Sequence, residues 1–302
     1  MCLTSRLAPA SSFLVPLANP LHELVQSFRH LPQYGLIAGR VPYLVTYLRW
    51  RGAALRGERL PWRGEQRITV VLLSYKRVRN MDTLVRNLLR AECVQHLVVS
   101  NNNPDYRIAD WVQVRDERLR LVDQPRHTPP GIRFELARQA PGDFFISVDD
   151  DVMLYPEQLE LLFKALLAQP EVPHGVQGEK FLGRGANPGR PFGDWQPGCF
   201  GDMEADVINT VYTFTRGQLE ELYRLAAALG REVPTLANGE DVPLSMSGQG
   251  RPRVHAVGPV GQCLSWCRAG VATWRTRQAF FNERTALFES LQALKASPSP
   301  VA

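Results

Sequence analysis

Four short runs of apolar and β-branched residues mark the first half of the chain: Ile68 to Leu73, His96 to Ser100, Leu119 to Val122 and Phe144 to Val148. Their length and composition predict strands. Between them, Asn80 to Leu89 and Ile132 to Ala140 carry the apolar spacing of helices. This alternation predicts an α/β fold with a mostly parallel central sheet flanked by helices. Further along, Tyr155 and Pro156 open a Leu-rich helix to Ala168. Gly175 to Gly178 and Val207 to Phe214 read as strands, Gln218 to Leu229 as a helix, and Val254 to Val257 as a last short strand before a C-terminal helical segment. Gly183 to Asp202, rich in Gly and Pro around Phe192 and Trp195, reads as a long loop.

The pattern divides the chain into an N-terminal helical, Arg-rich extension (1–66), a catalytic α/β domain (67–262) and a C-terminal helical segment with its tail (263–302). Charge sharpens that division. Residues 1–67 hold nine Arg, no Lys and three Glu, whereas the rest carries 26 basic and 27 acidic side chains. All of the net +5 therefore lies at the N-terminal end, and a nucleic-acid cleft, which spreads basic charge around its site, is not expected. Within residues 20–63, Leu, Val, Tyr and Trp alternate with Arg, most densely from Tyr43 to Arg51. Two readings fit: a helix lying on an anionic membrane surface, or a helical hairpin packed on the catalytic domain.

Five cysteines without paired spacing (Cys2, Cys93, Cys199, Cys263, Cys267) support neither a zinc site nor a disulfide framework. Met1 to Pro20 makes a poor signal peptide. The run from Leu36 to Leu48 is broken by Arg40 and falls short of the ~20 residues of a spanning helix. The expected setting is cytoplasmic, with peripheral contact at the inner face of the membrane if the N-terminal segment binds lipid.

In a parallel sheet, ligands bind beyond the carboxyl ends of the strands. Those ends carry Ser74-Tyr75-Lys76-Arg77, Asn101-Asn102-Asn103 and Asp149-Asp150-Asp151. Three carboxylates at the mouth of an apolar strand need positive compensation. A hard divalent cation, Mn2+ or Mg2+, bound through oxygen supplies it; an acidic start to the helix at Pro156 is the simpler alternative.

The acidic triplet after its strand resembles the DxD motif of GT-A glycosyltransferases, and Val70 to Arg77 resembles their opening strand. With Arg133-Phe134 before the triplet and Gly239-Glu240-Asp241-Val242 after it, the order is most similar to the catalytic domain of exostosin-type enzymes and to related bacterial glycosyltransferases, over residues 67–260. The resemblance implies a GT-A, Rossmann-like fold and transfer of a sugar from a nucleotide sugar, UDP-linked, to a glycan or lipid-linked acceptor. It implies that Ser74, Tyr75, Arg77, Asn101 and Asn103 surround the nucleoside, that Arg133 reaches the base or diphosphate, and that Asp149, with Asp150, contacts the ribose or sugar. It places the metal on Asp151, and Asp241, helped by Glu240, beside the acceptor hydroxyl.

The chemistry asks for such parts on its own terms. A nucleoside diphosphate leaving group needs charge stabilisation, and the acceptor hydroxyl must give its proton to a carboxylate. Asp241 can equally be an acidic helix start, and Arg133 a solvated helix arginine. His255 is either a further metal ligand or a structural histidine. Phe192 and Trp195 either stack on an acceptor sugar or anchor their loop. A sugar-phosphate nucleotidyltransferase needs a Gly-rich turn after the first strand, and Ser74 to Arg79 contains no Gly. A catalytically inactive nucleotide-binding scaffold at a membrane is the alternative from another class.

Overall fold

A computed structural model describes residues 40–188, 192–258, 260–268, 270–277 and 279–296. The readings that fall on residues 1–39, Cys2 and the run from Leu36 among them, and on the tail after Ala296 lie outside these.

The central sheet begins with β1 (Ile68–Ser74), β2 (Val94–Asn101), β3 (Leu119–Asp123) and β4 (Phe144–Val148), which run parallel in the order β3-β2-β1-β4. Every residue of β1 is buried, as expected of a central parallel strand covered on both faces. Its side chains alternate: Val70 and Leu72 enter one core cluster, Val71 and Leu73 the other. α2 (Met81–Arg90) and α4 (Pro156–Ala168) contribute to the first cluster, while α3 (Ile132–Gln139) contributes to the second. The expected α/β architecture, a mostly parallel core flanked by helices, is the one the chain adopts.

Beyond β4 the sheet continues antiparallel into β9 (Val207–Thr215) and β6 (His174–Phe181), with β10 (Arg253–Val254), β8 (Met203–Glu204) and β7 (Trp195–Cys199) at the far edge. α5 (Arg216–Ala228) follows β9 directly, its first turn closed by reciprocal hydrogen bonds between Thr215 and Gln218. A two-stranded ribbon joins β5 (Val152–Met153) to β11 (Gly261–Gln262).

Two expectations change here. The segment from Gly183 to Asp202 contains β7, and Trp195 is buried, its Nε1–H donating to Thr285 Oγ1 at 2.9 Å. Phe192 stacks on Trp274 and meets Phe281 edge-on. Both rings are therefore anchors and neither is free to stack on a sugar. The local Gly and Pro signal hid a strand whose partner, β6, lies outside the window that a sequence reading samples.

The second change concerns the ends of the α/β domain. In α1 (Arg40–Arg56) the aromatic residues Tyr43, Tyr47 and Trp50 are buried in the first core cluster, and Trp50 donates to the Leu154 carbonyl at 2.9 Å. These rings pack against protein. α8 (Phe280–Ala296) buries Phe288 and Leu291 against Trp195 and Val242, so the C-terminal helix packs on the α/β domain across the expected boundary at 262. No described helix is long and apolar enough to cross a membrane.

Candidate active site

The directions of the connections reverse between β1 and β4, which pair in register at Leu72 and Val148, and their carboxyl ends frame the crevice where an α/β sheet takes its ligand. Three arginines from three different elements meet six carboxylates there, each guanidinium between two acids.

Arg77, just after β1, donates to Asp150 Oδ1 at 2.7 Å and lies 3.3 Å from Asp151 Oδ2. Its other donors go to Ser265 Oγ and the Ser265 carbonyl. Asp150 also accepts the Tyr75 backbone N–H at 3.0 Å. The Asp150 carbonyl takes the amide of Asn80, the residue that precedes α2. Asp150 is thus the fastener between β1 and β4, and Arg77 has no free face for a nucleotide.

Arg133, on the buried side of α3, donates to Ser147 Oγ at 2.8 Å, Tyr212 Oη at 3.1 Å and Asp149 Oδ1 at 2.8 Å, and lies 3.6 Å from Glu240 Oε1. Ser147 and Tyr212 face each other across β4 and β9, so sheet register builds the socket that receives the guanidinium. The close approach behind it needs Gly131: a Cβ there would stand 2.1 Å from the Val233 carbonyl oxygen. Buried and committed to protein on all sides, Arg133 organises the site and does not reach a base or diphosphate.

The third arginine, Arg284 on α8, clamps both oxygens of Asp241 at 2.5 and 2.8 Å and donates from Nε to Glu179 Oε2 at 3.0 Å. Neither Arg284 nor Glu179 was singled out from the sequence. The signal for Arg284 was there: Phe281, Arg284, Phe288 and Leu291 follow helical spacing, which puts an arginine on an otherwise apolar stripe. Asp241 opens α6 (Asp241–Ser245), with Glu240 preceding it.

Three cations against six acids leave this largely buried row with excess negative charge, and the proton affinities respond. Burial pushes the Glu240 carboxyl up to about 7; Arg133 opposes this while Asp241 and Asp149 add to it. Burial likewise raises Asp151 to about 6 against the pull of Arg77, with Asp149 and Asp150 adding to the rise. Asp149 and Glu179 are also raised, first by burial. Asp151 Oδ1 and Ser74 Oγ are buried with no hydrogen-bond partner among the described residues. Asp149, a third exposed, is the open member of the triplet.

The asparagines at the end of β2 have a different occupation. Asn101 donates to the Tyr106 carbonyl and to Asp123 Oδ1 and accepts the Asn103 N–H, while Asn103 accepts from Asp105 N–H. Both are buried parts of a turn, so they do not stand beside a nucleotide as expected. Tyr75 is more available: its ring is exposed and meets His127 edge-on.

His255 is not brought together with Asp151 at a metal-binding point. Its Nε2 is 2.7 Å from Nδ1 of His174, whose Nε2 is 2.7 Å from the Gln169 carbonyl; its Nδ1 faces Asp202 at 3.5 Å. Because a carbonyl only accepts, His174 donates there and receives the proton of His255 on its other nitrogen. Burial lowers both pKa values, His174 to about 4, and the pair is structural. Among the described residues no three His, Cys, Asp or Glu side chains converge on one ion.

Beside the triplet opens a cleft of about 420 Å³ lined by Gln177, Phe200, Thr210, His255, Val260 and Gln262, among others. Thr210 accepts the Asp149 N–H on its carbonyl and has a positive φ of 69°. It sits opposite a register shift in β6 between Gly175 and Gln177. Bulges and left-handed non-glycine residues concentrate at functional sites.

No family model matches the sequence, and no curated protein does. Among solved structures, that of GalNAc-T7 with UDP, GalNAc and Mn2+ aligns with 10% identity and a TM-score of 0.48, over 65% of this chain and 43% of that one. The chain thus spans less than half of that protein's length, and a likeness at this level carries no argument about what the chain does. None of these comparisons names exostosin-type enzymes, and the resemblance to them rests on motif order alone.

Proposed function

We propose that the chain is a GT-A glycosyltransferase that moves a sugar from a UDP-linked donor to a glycan or glycolipid acceptor, and that it works with Mn2+ or Mg2+. The observation that carries the reading is the acidic row at the carboxyl ends of β1 and β4, where the buried carboxylate oxygen Asp151 Oδ1 has no partner among the described residues. A diphosphate brought to a row in which carboxyl groups outnumber arginines meets repulsion unless a cation accompanies it. Mg2+ and Mn2+ bound with nucleotides take one or two carboxylates, with substrate oxygens and water filling the other positions, so an unpartnered carboxylate oxygen fits this use although no three-residue cage is present among the described residues. Asp151 would hold the ion, which would supply Lewis-acid stabilisation of the diphosphate leaving group.

The protein's own groups divide the remaining work. Tyr75, at the end of β1, offers an exposed ring for the nucleoside, and Ser74 before it holds a buried hydroxyl without a partner among the described residues. Asp149, oriented by Arg133, offers an accepting oxygen to donor hydroxyls. For the acceptor proton, Glu240 suits the task better than Asp241. Glu240 has one distant ion pair and a carboxyl raised to about 7, close to the operating range of a general base, whereas Asp241 has both oxygens held by Arg284.

The test is release of nucleoside diphosphate from a panel of UDP-, GDP- and CMP-linked sugars with and without Mn2+, in the full chain and in Asp151→Asn. Mn-dependent turnover of a UDP-sugar that the substitution abolishes is the expected result. Full turnover by the variant contradicts the assignment, and binding without turnover on any donor favours an inactive nucleotide-binding scaffold.

A further inference from the structure

We propose that the outward face of α1 docks the protein on an anionic lipid surface, a role independent of the reaction assigned to the site. α1 carries apolar residues on two opposite sides with arginines between them, whereas a surface helix normally has a single apolar stripe that faces the core. The described chain encloses only one side. Tyr43, Tyr47, Trp50 and Ala54 face the core, whereas Val45, Leu48 and Leu55 are 41%, 44% and 62% exposed.

At about 100° per residue, half-buried Leu44 joins Val45, Leu48 and Leu55 in a stripe roughly 100° wide, directly opposite the buried face. Arginines border the stripe on both sides, Arg51 along one edge and Arg49 with Arg56 along the other, and Arg49 and Arg56 are exposed. An apolar stripe between two rows of long cations is the form that lies at a headgroup boundary: aliphatic side chains enter the acyl edge while the guanidinium groups reach up to phosphates.

Charge complementarity names the surface. α1 contains no acidic residue, and residues 40–63 hold six Arg against a single Glu. A neutral apolar partner would leave those arginines without counter-charge, whereas an anionic leaflet attracts each of them. The contact residues are the aliphatic ones; the aromatic residues that made this segment conspicuous in the sequence face inward.

Co-sedimentation of the full chain with vesicles of phosphatidylcholine alone, and with phosphatidylglycerol added, tests the assignment. The chain should pellet with the anionic vesicles only, and added salt should release it. Val45→Asn with Leu48→Asn and Leu55→Asn, and separately Arg49→Gln with Arg56→Gln, should each lower partitioning about tenfold or more. The arginine pair, on exposed positions, keeps the test valid if the triple variant fails to fold. Failure of the full chain to bind anionic vesicles overturns the proposal, and so does undiminished binding by the arginine variant. Neither result bears on donor turnover, since no substituted residue touches the acidic row.

Discussion

The two ends of the acidic row are built alike and finished differently. At one end Arg284 holds Asp241 by both oxygens and Glu179 by one, while the second oxygen of Glu179 accepts from Asn209 at 3.1 Å. Every carboxylate oxygen there has a partner. At the other end Arg77 holds Asp150 closely and Asp151 loosely, and Asp151 Oδ1 has none among the described residues. A satisfied buried ion pair serves architecture, because breaking it strands a charge; an unsatisfied acceptor in a buried row is where a ligand's cation gains most. Arg133 joins the two ends, reaching both Asp149 and Glu240. The difference separates residues that hold the site together from those that meet substrate, and residue type alone does not draw that line.

Substitutions at the two ends should therefore fail in different ways. The largest expected effect is on rate: Glu240→Gln should lower kcat by about 10²–10⁴ with little change in stability, the range for loss of a general base. In the parent protein kcat/KM should fall as pH drops through about 7, because the raised Glu240 carboxyl takes up a proton there. The variant should lose that limb, and a limb that survives would move the base role elsewhere.

Next, Arg284→Met should cost about 3–5 kcal/mol of stability, since it leaves Asp241 and Glu179 buried without their cation. Denaturant unfolding reads this, and a loss under 1 kcal/mol would mean that this end is not the closed one. The burial-raised carboxyl of Glu179 gives the sign of its pH dependence. A carboxyl with a folded pKa above its unfolded value binds more protons when folded, so its contribution falls as pH rises from the unfolded toward the folded value. The Arg284→Met variant should then lose more stability at neutral than at acid pH.

The smallest effect belongs to the socket between the ends. Gly131→Ala places a methyl group against the Val233 carbonyl and should cost about 1–3 kcal/mol as an overpacked contact, with a rise in donor KM if Arg133 shifts. Unchanged stability would show that α3 can move without disturbing the row.

Much of the scaffold could be read from the chain because its signals are local. β1 and β4 are continuous apolar runs, Pro156 marks a helix start, and the triplet stands directly after a buried strand. The partners of these residues were hidden because they are distant in sequence. Arg284 comes from 43 positions beyond Asp241 and Glu179 from a strand read three residues too short at its carboxyl end, and no spacing rule links them. Asn101 and Asn103 misled for the opposite reason. Polar residues at a strand end look alike whether they bind a ligand or close a turn, and only the hydrogen bonds to Asp123 and Asp105 decide it. His255 stays open between a metal ligand and a structural histidine for the same reason, since its partner His174 lies 81 residues away.

The contrast between the two ends is tested most directly by Mn2+ binding to the full chain with UDP, followed by electron paramagnetic resonance. One ion should bind per chain, be lost in Asp151→Asn and be retained in Asp241→Asn. Undiminished binding by Asp151→Asn, or no binding by the parent protein, would contradict the account.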